Sequence, residues 1–125
     1  MGYDIYIGER LNDTVFAAED PAAPNKDPLA PHENHRHPSY TGWHNFAREV
    51  GLEDFFFDKE KGKMREHPGI QPLTVLDART VLDALERARQ NTDPDFAYQI
   101  ERLEWLAFWV EWAVKNCQNP AIYNS

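Results

Sequence analysis

The stretch "DPDFAYQIERLEWLAFWVEWAVKNC", residues 93–117, holds three of the chain's four tryptophans, and its reading decides the fold. Asp93 followed by Pro94 is a helix start: a short acceptor side chain at the cap, then a residue with no N–H to lose. At about 100° per residue, Phe96, Ile100, Leu103, Ala107, Val110, Val114 and Cys117 form one aliphatic stripe, flanked by Leu106 and Ala113. Trp105, Trp109 and Trp112, with Tyr98 on the same side, form a second stripe nearly opposite. Glu101, Glu104, Glu111 and Lys115 share the narrow polar sector between them, interrupted by Phe108. A surface helix needs one apolar face, so two faces predict a helix covered on both flanks. Each large side chain so covered contributes roughly 1.5–3 kcal/mol. The cover for the indoles is the chain's own sheet and neighbouring helix, a homodimer seam, or an aromatic ligand.

Working outward, "PLTVLDARTVLDALERARQ" (residues 72–90) predicts a second helix over 74–90. Thr74 with Asp77 three residues on has the form of a capping box, and Leu76, Val81, Ala84, Leu85 and Ala88 give it one apolar face. The short link "NTDPD" then forces an antiparallel helical pair. At the other end Tyr3, Ile5 and Ile7 alternate with polar residues, which predicts a strand. Asn12-Asp13 supplies a turn, and residues 3–9 and 14–18 read as a β-hairpin. Thr41 is the predicted cap of a short helix carrying Trp43, Phe46, Ala47 and Val50, with Gly51 as its left-handed stop. "DFFFD" (54–58) reads as a buried strand, residues 59–69 as a charged turn bending at Gly62, and "QNPAIYNS" (118–125) as a tail. Five prolines between residues 19 and 38 exclude a ladder or helix there. The expected fold is α+β over residues 1–125. A small antiparallel sheet, the N-terminal hairpin plus a strand near 54–58, packs on a C-terminal antiparallel helical hairpin.

Charge and composition exclude some functions. The formal net charge is −8 and the pI about 5.0, and a negative field repels phosphate backbones and anionic membrane surfaces. Duplex nucleic acid and membranes are therefore not the expected partners. Cys117 is the sole cysteine, which leaves no internal disulfide and no cysteine-based zinc site. It reads as a small buried hydrophobe. No leader pattern opens the sequence and no stretch has the roughly 18 apolar residues of a membrane span. The expectation is a soluble protein of a reducing compartment.

The polar chemistry concentrates in "PHENHRHPSYTGWH" (31–44), which holds four of the five histidines. It has three readings. One is a solvated polar loop. A second is a metal site: His35 and His37 put two imidazoles on one side of an extended segment, which suits Zn or Mn. A third ligand would come from His32, Glu33, His44 or His67, though none stands at a recognised spacing. The third reading is a recognition site without cofactor. Tyr40, Trp43 and His44 follow where loop becomes helix, and free amides at a helix start favour anions. Lys59, Lys61, Lys63 and Arg65 alternate, so an extended backbone would put these cations on one face. Tyr40, Trp43, His44, Lys63 and Arg65 are thus the candidate contacts for a small anionic ligand.

The phrases "MGYDIYI", "PSYTGWHNFAREVGL", "MREHPG…PLT" and "NCQNPAIYNS" resemble small proteins encoded by actinobacterial phages and prophages. The resemblance touches about half of the chain. It implies an accessory protein acting in bacterial cytoplasm, which binds and blocks a host protein or sequesters a small signalling molecule. It carries no catalytic residue. Three functional expectations follow. The first is a non-enzymatic binding protein for a nucleotide-like signal or a host protein. The second is a metal-dependent hydrolase built on the 32–44 histidines, and the third a protein-interaction or homodimer module using the tryptophan face.

Overall fold

The structure, a computed structural model, describes residues 1–12, 14–15 and 33–125. Predicted features at 16–32, including most of the proline-rich segment, the end of the return strand and His32, lie outside the described residues.

The α+β architecture is present. Strand β1 (Ile5–Leu11) buries Ile5 and Ile7 on one face, as their alternation requires. Asn12, in the left-handed region at φ 60°, turns the chain into β2 (Thr14–Val15). A second short partner, β3 (His35–Arg36), takes the other end of the same edge of β1, pairing Ile5 with Arg36 and Tyr6 with His35. The rest of the sheet comes from β4 (Gly69–Pro72) and β5 (Pro120–Asn124). The order is β2-β1-β5-β4, and all pairs are antiparallel.

Two expectations are corrected here. The predicted strand near 54–58 is a helix, α2 (Glu53–Phe57). Only Phe56 of the three phenylalanines is fully buried, and the acidic Glu53 and Asp54 occupy the first turn, where the helix dipole favours them. A run of three rings has no period, so it fits either element. The predicted tail is β5, which lies between β1 and β4. Glu9 fixes its entry, its two carboxylate oxygens accepting from the amides of Gln118 (2.7 Å) and Asn119 (2.6 Å).

The cap of helix α1 (Tyr40–Glu49) lies two residues before the expected one. Ser39 is the cap, its Oγ accepting from Gly42 N at 3.0 Å, and Thr41 already lies inside. Gly51 ends the segment at φ 77°. Helix α3 (Val75–Ala88) carries the predicted capping box in full: Asp77 N donates to Thr74 Oγ1 at 3.2 Å and Thr74 N to Asp77 Oδ2 at 2.8 Å.

Asp93 and Pro94 open a single 3-10 turn (Pro94–Phe96) that runs into α4 (Ala97–Asn116). As expected, α4 is covered on both flanks. Leu103, Leu106, Ala107, Val110 and Ala113 are buried on one side, and Trp105, Trp109 and Trp112 on the other. The cover comes from within the chain, with α3, β1 and β5 packing on α4. Among the described residues no helix is long and apolar enough to cross a membrane.

Candidate functional site

Segment 33–39 runs between β1 and α4 and is fixed to both. Ile7 N donates to Asn34 O at 3.1 Å and the buried Asn34 side chain donates to Ile7 O at 2.7 Å. From the other side, the Trp105 indole N–H donates to Glu33 O at 2.8 Å. This anchoring places His35 and His37 side by side, ring centroids 5.0 Å apart, as the extended reading expects.

Each of these imidazoles is engaged. His35 stacks on Tyr6 at 5.3 Å and lies 3.4 Å from the Glu33 carboxylate, and His37 Nδ1 donates to Asp4 Oδ1. The other histidines named as further ligands lie in a separate cluster or, for His32, outside the described residues. His44 is stacked on Phe57 at 3.9 Å and shares a hydrogen bond with the Tyr3 hydroxyl, 2.9 Å. His67 Nδ1 donates to Asn124 Oδ1 at 2.7 Å, which leaves its Nε2 to accept from the Tyr40 hydroxyl at 3.1 Å. Among the described residues no three His, Cys, Asp or Glu side chains converge as a metal-holding group.

The candidate ligand contacts separate in the same way. Tyr40 and His44 do meet, both against the ring of Tyr3. Trp43 is 0% exposed and packs between Phe46 and Phe56, so its ring belongs to the core. Lys63 is not on a row of cations: its Nζ is paired with Asp77 at 2.9 Å and donates to Pro72 O at 2.8 Å. Arg65 turns back onto Gly62 O at 3.1 Å. Residues 59–68 form turns, so the alternation of Lys59, Lys61, Lys63 and Arg65 does not translate into one face.

The loop–helix junction nonetheless borders a cleft that the sequence reading missed. It has a volume of about 200 Å³ and is lined by Arg36, His37, Pro38, Tyr98, Glu101 and Arg102. Arg36 comes from β3, its guanidinium 4.9 Å from the centre of the Trp105 ring. Arg102 comes from the second turn of α4. Its guanidinium lies 4.9 Å from the Tyr98 ring centre and 5.7 Å from that of Trp43, and its Nη2 donates to the Tyr98 hydroxyl at 2.6 Å. A longer bond of 3.4 Å reaches Gly42 O in the first turn of α1.

Among the described residues, neither arginine is ion-paired with a carboxylate within 4 Å. Burial lowers the Arg36 guanidinium from the usual arginine range. The charge of Glu101 opposes that shift, and the charge of Arg102 adds to it. Two cations seated on aromatic faces, neither in a close ion pair among the described residues, form a cleft suited to an anion that both forks can grip.

One signal for this cleft was in the sequence. Tyr98, Glu101 and Arg102 stand at i, i+3 and i+4, which places them on one face of a helix. The contribution of Arg36, 66 residues earlier, has no local signal. Comparison of the chain with protein-family models, with curated proteins and with solved structures finds no match.

Proposed function

We propose that this chain is a non-enzymatic binding protein for a small anionic ligand, held in the cleft between residues 36–38 and the start of α4. The observation that supports this reading is the convergence of Arg36 and Arg102, each packed on an aromatic ring and neither ion-paired among the described residues. Like charges brought together in a partly desolvated site repel one another. A phosphate or carboxylate between them relieves that repulsion and takes charge-assisted, bidentate hydrogen bonds. Arginine suits this better than lysine because its planar fork stacks and binds at once. The His37 imidazole at the rim, its Nδ1 held by Asp4, adds the hydrogen-bonding capacity of its Nε2. In the phage setting that the sequence resembles, such a site serves to sequester a nucleotide-like signal.

Isothermal titration calorimetry of the full chain against inorganic phosphate, pyrophosphate and the ribonucleoside 5′-phosphates tests the proposal. At least one of these should bind saturably, and the same ligand should raise the melting midpoint as RT ln(1 + [L]/Kd). Arg36→Ala and Arg102→Ala should each weaken binding about tenfold or more. Arg36→Lys, which keeps the charge and loses the fork, should fall between. Absence of binding by every member of the panel, or binding that both alanine variants leave unchanged, overturns the proposal.

A further inference from the structure

Glu101 is the odd member of the cleft. A site built for a bare phosphate gains nothing from a carboxylate in its lining, since that charge repels the ligand and partly neutralises Arg36. Glu101 is exposed and not ion-paired among the described residues, so its oxygens are open to a donor. A carboxylate only accepts hydrogen bonds. Its natural complement on an anionic ligand is therefore a hydroxyl group some distance from the phosphate.

The rest of the α4 face gives that ligand its third part. Tyr98, one turn before Arg102, is 62% exposed, which is unusual for a ring of its size. Arg102 takes its hydroxyl and lies over one face of the ring, 4.9 Å from its centre, so the exposed remainder of the ring is the surface left to a ligand. Base stacking on such a ring is worth roughly 1–3 kcal/mol. Ring, acceptor and guanidinium follow one another along the first two turns of α4, with Arg36 facing them from β3.

We infer that the ligand class is a free ribonucleoside monophosphate, with its phosphate between Arg36 and Arg102, its sugar hydroxyls on Glu101 and its base against Tyr98. This inference rests on the anion-binding reading above and adds that Glu101 sets specificity. Glu101 disfavours bare phosphate and longer polyphosphates, whose extra charge it repels, and favours a ligand with one phosphate and neighbouring donors.

Calorimetry with inorganic phosphate, pyrophosphate, and the ribo- and 2′-deoxyribonucleoside 5′-monophosphates tests it, on the wild-type chain and on Glu101→Ala. Alanine is helix-favouring and the position is exposed, so the variant should fold. In the wild type at least one ribonucleoside monophosphate should bind about tenfold more tightly than inorganic phosphate. In Glu101→Ala the two affinities should move in opposite directions, phosphate tighter and nucleotide weaker. A merely structural role for Glu101 would move both the same way, and that outcome overturns the assignment. Equal wild-type affinity for phosphate and nucleotide, or preference for pyrophosphate or for the 2′-deoxyribonucleotides, overturns the ligand class and leaves the anion reading standing. Binding of none of these ligands removes the anion reading itself.

Discussion

The indole N–H of Trp105 donates to the carbonyl of Glu33 at 2.8 Å, joining the middle of α4 to a segment 72 residues earlier. The same ring supports the guanidinium of Arg36. One core side chain therefore anchors segment 33–39 and positions a cation of the cleft, so core packing and cleft geometry are coupled at this residue. Trp109 is as deeply buried, yet its indole nitrogen has no hydrogen-bond partner among the described residues. Replacement of each by phenylalanine separates the two roles. Trp105→Phe removes a part-buried hydrogen bond and should cost about 0.5–1.5 kcal/mol beyond the loss of ring volume, with weaker anion binding. Trp109→Phe should cost less and leave binding unchanged. Urea midpoints and calorimetry on the two variants measure both effects.

Asp77 serves two partners at once. It closes the capping box of α3 and pairs with Lys63, both side chains being largely shielded. Asp77→Ala removes both contacts and should destabilise by about 1–2 kcal/mol, whereas Thr74→Ala, which leaves the ion pair, should cost about 1 kcal/mol. A urea titration that ranks Thr74→Ala as the more damaging would contradict this division.

The Cys117 thiol, at the end of α4, is pushed up to about 12 by burial, with the Glu9 carboxylate adding to the effect. Two consequences follow. At pH 8 the folded thiol should react far more slowly with a disulfide reagent than the unfolded chain does, because the thiolate is the reactive form. Stability should also fall with rising alkalinity. An unfolded thiol loses its proton near pH 8.5 while the folded one keeps it. The native state thus holds more protons across the interval up to about 12, and unfolding is favoured there. Cys117→Ala should flatten that part of the stability curve.

Gly51 and Gly62 are both replaceable in principle, but for different reasons the costs should differ. Gly51 has φ 77° and open space around its Cα, the nearest atom to an added Cβ being Arg87 Nη2 at 3.6 Å. Alanine there meets only the left-handed penalty, about 1 kcal/mol. A Cβ on Gly62 would lie 2.4 Å from Phe56 O and 2.6 Å from Asp58 N, so backbone has to move. Gly62→Ala should cost about 1–3 kcal/mol as an overpacking change and should loosen Lys63 from Phe55 O. Thermal midpoints of the two variants should fall in that order.

Much of the fold was legible because its signals are local. The two stripes of α4 lie within one helix and the Thr74/Asp77 box within four residues. The misreadings share one cause. Phe55, Phe56 and Phe57 carry no period, so only the surrounding core, Trp43 above all, selects a helix. Pro120–Asn124 is too short and mixed to declare itself, and becomes a strand only because β1 and β4 are available on both sides. The site was half legible. The histidine stretch does lead into α1, so irregular backbone meets helix where the sequence places it. Arg36 and Arg102, the cations that line the cleft, meet only once the chain has folded. Lys63 and Arg65, which looked free in sequence, are occupied by Asp77, Pro72 and Gly62.

The central place of β5 has a consequence for timing. Synthesis supplies Pro120–Asn124 after every other described element, yet β1 and β4 are joined in the sheet only through it. Before β5 is made, β1 and β4 therefore present two strand edges that no other described strand bridges. Closing that gap is a long-range event that local helix formation does not hasten. Assembly of this sheet is thus completed by insertion into its middle and not by addition at its rim.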